Sequence, residues 1–123
     1  MTAAPRILVV AIKRFDMFGR KITRNIQYPA KFNMKKFMDG YIDDMTVSKP
    51  KKSSKSVKIT SVPDQIYDLY GVVIHKGATT NSGHYFSYCK SASNRTWYEC
   101  NDSFIRQMND NQVLNREAYL LFY

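Results

Sequence analysis

The chain has 123 residues, a mass of 14.3 kDa and a formal charge of +9, from nineteen Lys and Arg against ten Asp and Glu. That length suits one domain or a piece of a larger one, and 44% hydrophobic with 14% aromatic residues excludes global disorder. Two cysteines are too few for a disulfide scaffold, and the longest apolar run, Ile7 to Ile12, falls far short of the roughly 20 residues that cross a bilayer.

Ile7 to Ile12 is β-rich and almost wholly apolar, so it reads as a strand buried on both faces. It is too short for a signal-peptide core and has no small-residue cleavage pattern nearby, so a cytoplasmic or nuclear protein is expected. Gly19 marks a turn. Lys21 to Tyr28 places Ile22, Ile26 and Tyr28 at even positions and reads as a second strand ending at Pro29. Lys31 to Asp39 carries Phe32, Met34, Phe37 and Met38, as a short helical turn or an extended segment on the core. Residues 40–64 lack periodicity and read as a loop. Then come Tyr67 to His75 (strand), Gly77 to Gly83 (small, polar loop), His84 to Lys90 (strand), Ser91 to Arg95 (turn) and Trp97 to Asn101 (strand). Asp110 can cap a short helix through Leu114, and Ala118 to Tyr123 closes the chain as a strand. Short strands joined by short turns, with little helix, predict an α+β domain that is mostly antiparallel β. Both ends lie close against strand-like runs, as expected of a fragment.

The charge is uneven. Residues 1–63 hold fourteen Lys and Arg against four acids, and residues 64–123 hold five against six. The excess peaks in Ser48 to Lys58, where five lysines stand among serines. That composition reads as a solvated loop. A nucleic-acid patch is the sharper alternative, but the stretch has no aromatic residue to stack on bases, and neither zinc-finger spacing nor an RNP-like motif occurs.

If His84 to Lys90 and Trp97 to Asn101 pair as a hairpin, opposite residues have numbers that sum to about 186 or 187. His84 then lies opposite Asp102 or Ser103 and diagonal to Asn101. Opposite Cβ atoms are about 4.5–5.5 Å apart and diagonal ones about 7–8 Å at most. The imidazole therefore reaches Asn101 or Asp102, the arrangement a general base needs: the partner holds one ring nitrogen and frees the other to take a proton. The plainer alternative is a turn-edge histidine bonded to backbone. His75 reads as a cap at the end of its own strand, with no chemistry. A Cys is the natural nucleophile beside a His. Cys89, however, has the opposite strand parity from His84, and Cys100 faces away from Asn101. Both read as small core residues. They are not opposite each other, so no disulfide is expected between them.

Tyr70-Gly-Val-Val-Ile-His-Lys-Gly77, Ser82-Gly-His-Tyr-Phe-Ser-Tyr88, Trp97-Tyr-Glu-Cys-Asn-Asp-Ser103 and Ala118-Tyr-Leu-Leu-Phe-Tyr123 together resemble the His box of the ubiquitin-specific proteases, papain-like deubiquitinases. Pro5 to Phe15, Gly19 to Ile22 and Tyr28-Pro29 resemble that family's upstream blocks. The resemblance implies that His84 is the catalytic base, Asn101 the third triad member and Asp102 an adjacent acid able to support or replace it. It implies that Tyr85 lines the channel for ubiquitin's glycine-rich tail and that Gly83 lets the tail's backbone approach closely. Gly77 to Gly83 resembles the family's second blocking loop, and 43–63 falls where the first lies.

Three parts of the family pattern are missing: the nucleophilic Cys on its thumb helix, the nearby oxyanion-hole Asn or Gln, and the paired CxxC zinc ribbon. Residues 1–123 therefore resemble the C-terminal, mostly palm, portion of the catalytic domain, without the N-terminal Cys-box thumb, and neither a metal nor a cofactor is expected. The implied function is thiol-dependent hydrolysis after ubiquitin's C-terminal Gly, with this chain inactive alone. The implied partners are ubiquitin, ubiquitinated proteins and the N-terminal half of its own catalytic domain; neither membrane nor nucleic acid is expected. The alternative is a non-catalytic ubiquitin-binding or scaffold module.

Overall fold

A computed structural model describes residues 3–38 and 63–123. The Lys-rich segment 48–58, nearly all of the expected loop 40–64 and nearly all of the first blocking loop within 43–63 lie outside the described residues.

Eight strands and little helix make up the described chain: β1 (Val9–Ala11), β2 (Lys31–Asn33), a 3-10 turn (Met34–Phe37), β3 (Ile66–Asp68), β4 (Gly71–Thr79), β5 (Ser82–Lys90), β6 (Trp97–Asn101), β7 (Phe104–Met108), α1 (Asp110–Leu114) and β8 (Ala118–Phe122). Six of them form one antiparallel sheet in the order β1-β8-β4-β5-β6-β7, and β2 pairs with β3 in a small second sheet. The expectation of a mostly antiparallel domain with little helix holds.

Alternation along the central strands sorts the sheet into two faces. Val72 and Ile74 of β4, Tyr88 of β5, Trp97 of β6 and Leu121 of β8 are buried on one face, the core face. Ala118 joins them although it stands three residues from Leu121. Val72 pairs with Leu121 and Ile74 with Ala118, so a bulge on β8 takes up the odd residue. Val113 of α1 and Tyr28 close over this face, and the Tyr28 hydroxyl donates to the Val113 carbonyl at 2.6 Å. The Tyr123 hydroxyl donates to the Pro29 carbonyl at 2.9 Å. These two bonds hold the irregular segment before β2 against the sheet.

Several elements differ from the sequence reading. Val9 of β1 is 50% exposed, because β1 is an edge strand paired only with β8 and only Val10 faces the core with Leu121. The expected strand over Lys21 to Tyr28 does not form. Its ladder stops at the Phe15–Lys21 bridge across the Gly19 turn. The carbonyls it would have paired go instead to the buried Arg14 guanidinium, which donates to Ile22 O at 3.2 Å and Arg24 O at 2.9 Å; Arg14 Nε donates to Ala118 O at 2.6 Å. The 31–39 segment takes both forms in turn, a strand and then a 3-10 turn. The strand expected over Tyr67 to His75 is split between β3 and β4, and β4 continues through His75 to Thr79. The α1 cap is Asn109, one residue before Asp110, in a reciprocal pair with Gln112. Asp110 instead accepts from the Trp97 indole at 2.7 Å and faces Lys90 at 3.6 Å.

Arg14 is 1% exposed and ties three carbonyls from two segments. Arg14→Leu is therefore expected to cost about 3 kcal/mol, since buried acceptors lose their donor; a urea melt that shifts by less than about 0.5 kcal/mol would contradict this role.

Burial pushes the Tyr28 and Tyr123 hydroxyls from 10.0 up to about 12. A raised folded value means the neutral phenol is favoured by folding, so this stabilisation is complete below pH 10 and is lost as pH climbs toward 12. Denaturant melts at pH 9 and pH 11 are expected to show falling stability. The double variant Tyr28→Phe/Tyr123→Phe should show a shallower fall, and an equal fall in both proteins would refute the assignment.

Candidate functional site

Strands β5 and β6 pair Ser87 with Cys100, Tyr88 with Glu99, Cys89 with Tyr98 and Lys90 with Trp97, a constant sum of 187. This register is one of the two that the sequence suggested. Extended by alternation, it puts His84, Phe86 and Tyr88 on the core face together with Trp97, Glu99 and Asn101. Lys90 spans the base of the hairpin over the Trp97 ring at 5.3 Å, and Glu99 binds Arg106 of β7 at 2.7 Å. These contacts fix the strands at the end remote from His84.

His84 Nε2 lies 2.5 Å from Asn101 Oδ1. An amide oxygen only accepts, so the imidazole donates Nε2–H and is held in the tautomer that leaves Nδ1 free. The ring stacks along Phe86, with centroids 6.2 Å apart and planes at 22°, and its side chain is 44% exposed. It is thus held at one nitrogen and along one face and remains open to a reactant.

Asp102 stands in the two-residue turn that joins β6 to β7, where Asn101 pairs with Phe104. Its backbone is left-handed (φ 51°), a conformation that Asp tolerates well. Its carboxylate lies 3.8 Å from His84 Nε2 and is largely exposed. The structure therefore brings His84, Asn101 and Asp102 together, with Asn101 in direct contact and Asp102 behind it.

Tyr85 and Gly83 flank His84 in the chain but serve the opposite face. Tyr85 is 52% exposed and tilts over His75 at 4.7 Å and Tyr119 at 5.9 Å. His75 does not cap a strand end. It lies inside β4, buried, in a box of Phe15, Tyr85 and Tyr119 rings. The loop expected at Gly77 to Gly83 narrows to the turn Thr80-Asn81, because Thr79 pairs with Ser82 across a bulge.

The cysteines also depart from the sequence reading. Cys89 is exposed and Cys100 half-buried, so neither is a core residue; they are free thiols. Both point to the face opposite His84, diagonal to one another. Burial, and then the neighbouring Cys89, pushes the Cys100 thiol above its ordinary value. That direction is opposite to what a thiolate nucleophile requires. A cleft of about 390 Å³ opens on the core face beside Phe86, lined by Lys21, Lys76, Arg116 and Glu117. Among the described residues no group of three metal-ligating side chains occurs and no helix is long and apolar enough to cross a membrane.

The antiparallel sheet thus presents an amide-held imidazole at one end of a hairpin, an arrangement that can accept a proton at its free nitrogen. The chain matches the family model for ubiquitin carboxyl-terminal hydrolase over residues 1–123 and belongs to that family. It is 38% identical to ubiquitin carboxyl-terminal hydrolase 8 of Saccharomyces cerevisiae, covering 97% of this chain and 24% of that relative. It is 37% identical to probable ubiquitin carboxyl-terminal hydrolase 16 of Schizosaccharomyces pombe, covering 98% of this chain and 22% of the relative. It resembles a solved Ubp8-Sgf11-Sgf73-Sus1 SAGA DUB module with a TM-score of 0.75 and 36% identity, over 99% of this chain and 24% of the solved chain. It also resembles the Ubp8 module bound to ubiquitin aldehyde, with a TM-score of 0.74 and 36% identity over 97% of this chain and 24% of that one. The chain thus spans about a quarter of the length of these relatives.

Exchange of Asn101 tests the site geometry directly. Asn101→Asp keeps an acceptor beside Nε2 and is expected to hold the same tautomer, whereas Asn101→Ala should release the ring. Ring-nitrogen chemical shifts by NMR check both; a His84 tautomer that is unchanged in Asn101→Ala would contradict the contact.

Proposed function

We propose that residues 1–123 form the C-terminal, base-bearing portion of a thiol-dependent deubiquitinase domain, which cleaves the bond after the C-terminal Gly of ubiquitin. The observation that carries this reading is the 2.5 Å contact between His84 Nε2 and Asn101 Oδ1 in a member of the ubiquitin carboxyl-terminal hydrolase family. The ubiquitin-bound modules among the similar solved structures support ubiquitin as the ligand.

The nucleophile is a cysteine contributed by chain outside this sequence, since Cys89 and Cys100 face away from His84. His84 Nδ1 takes the proton of that thiol while Asn101 keeps the ring oriented and stabilises the imidazolium that forms. The thiolate adds to the carbonyl of ubiquitin's terminal Gly, and His84 returns the proton to the departing amine. Water, deprotonated in turn by His84, then hydrolyses the thioester and frees the thiol. Asp102, 3.8 Å from Nε2, stands beside Asn101 as a second acceptor that supports it. Gly83 and Tyr85 border the path of the ubiquitin tail, the second walling it with an exposed ring. The reducing cytoplasm or nucleus suits a free catalytic thiol.

A fluorogenic ubiquitin substrate tests this reading. The pure 123-residue chain is expected to show no turnover, and supplying the remaining catalytic domain, in cis or in trans, should restore it. In the complete protein His84→Ala should lower kcat by about 10³-fold or more. Asn101→Ala should cost more than Asp102→Ala, and Asn101→Asp should retain more activity than Asn101→Ala. Clear turnover by the isolated chain, or a His84→Ala protein as active as its parent, would defeat the proposal.

A further inference from the structure

The imidazole of His75 occupies a position that its aromatic box alone does not explain. The side chain is 2% exposed, and its Nδ1 has no hydrogen-bond partner. A wholly apolar ring would fill a space between Phe15, Tyr85 and Tyr119 without stranding a polar atom. What distinguishes the ring is its edge, which is wedged between two glycines. A Cβ on Gly83 would stand 2.2 Å from His75 Nε2 and 2.8 Å from Cε1, and a Cβ on Gly77 would stand 3.0 Å from Cε1. Gly77 ends the tight part of β4, and Gly83 immediately precedes His84. The ring therefore touches the backbone on both sides of the β4–β5 turn. Beneath it the His75 carbonyl accepts from Lys21 Nζ at 2.6 Å, and Lys21 faces Glu117 at 3.4 Å, so the ring's own backbone is anchored as well.

We infer that His75 is a positioning residue for His84: its ring sets the height of the Gly83 backbone, and through it the place from which the His84 imidazole reaches Asn101. This inference rests on the assignment of His84 as the base. The fit is steric and two-sided. A longer ring pushes Gly83 outward, a small side chain lets the turn sink into the vacated space, and either change moves the root of His84. A displacement of about 1 Å in a reacting group can cost as much as 100-fold in rate. The ring works from the face opposite the reacting one and acts only through backbone. Its loss should therefore fall on kcat rather than on KM.

The two glycines supply an internal control. The two shortest contacts a Gly83 Cβ would make are with the His75 side chain, so removing that ring relieves them and leaves Lys76 O at 3.0 Å and the positive φ as the remaining cost. The shortest contacts of a Gly77 Cβ are with backbone, Ser82 O at 2.5 Å and Gly83 Cα at 2.8 Å, which no change at His75 relieves. The experiment measures kcat and KM on ubiquitin substrate with the complete catalytic domain, for His75→Ser, Gly83→Ala, Gly77→Ala, both doubles with His75→Ser, and His84→Ala. His75→Ser is expected to lower kcat roughly tenfold with KM within about threefold, and Gly83→Ala to lower kcat roughly 100-fold. The double variant His75→Ser/Gly83→Ala should recover about tenfold of kcat over Gly83→Ala, with KM no different from that of Gly83→Ala. Gly77→Ala should gain nothing from His75→Ser. If His75→Ser lowers the melting temperature so far that the protein does not fold, His75→Asn replaces it throughout. Additive losses in the His75/Gly83 pair, or a His75 variant that changes KM alone, would overturn the positioning role while His84→Ala remains inactive. An active His84→Ala protein would instead overturn the base assignment, and this inference with it.

Discussion

The pairing of β5 with β6 is the constraint on which the rest of this structure depends. Four residue pairs at a constant sum of 187 decide which side chains share the core face. A slip of one residue in β6 would turn Asn101 away from His84 and carry Trp97 off the core face, and the same slip in β5 would carry off Tyr88; both rings are nearly fully buried. Burying either aromatic side chain is worth about 1.5–3 kcal/mol, so the register is held by the core and not by the polar contact it creates. The approach of His84 to Asn101 is thus a by-product of hydrophobic alternation. The site is built cheaply in this sense, because no strain has to be stored in strands that would pair this way in any case.

Fixing the hairpin does not fix the imidazole, since His84 stands beyond the last β5–β6 pair, where the two strands diverge. Two further contacts complete its placement. On the core face Asn101 and Phe86 hold the ring, and on the opposite face the His75 edge meets the backbone at Gly83. The two faces meet at the root of one side chain. Polar placement from one side and steric placement from the other leave Nδ1 as the ring nitrogen with no hydrogen-bond partner among the described residues.

Much of this was legible in the sequence because it follows period-2 alternation and short turns. The hairpin, its approximate register, the reach from His84 to Asn101 and Asp102, and the closing strand expected over Ala118 to Tyr123, one residue longer than β8, all came from spacing. What escaped depends on contacts distant in the chain. The pattern of Ile22, Ile26 and Tyr28 looked like a strand, yet Arg14 takes the carbonyls that a neighbouring strand would have used. Phe104 to Met108 gave no signal, because an edge strand with only Met108 buried shows no alternation of burial to read. Cys89 and Cys100 looked like core residues by type but stand on the less covered face. The Gly77–His75–Gly83 wedge is invisible to spacing, since it needs the turn folded back on its own strand before the three residues meet.

Everything proposed for this site turns on Asn101 holding His84 with Nε2 protonated and Nδ1 free. Long-range proton–nitrogen correlation of the histidine rings in ¹⁵N-labelled protein, above the pH at which His84 titrates, reads that tautomer without recourse to activity. The expected spectrum shows a pyrrole-type Nε2 and a pyridine-type Nδ1 for His84, with the pattern lost in Asn101→Ala. A ring protonated at Nδ1, or one averaging freely between the two forms in the parent protein, would contradict it.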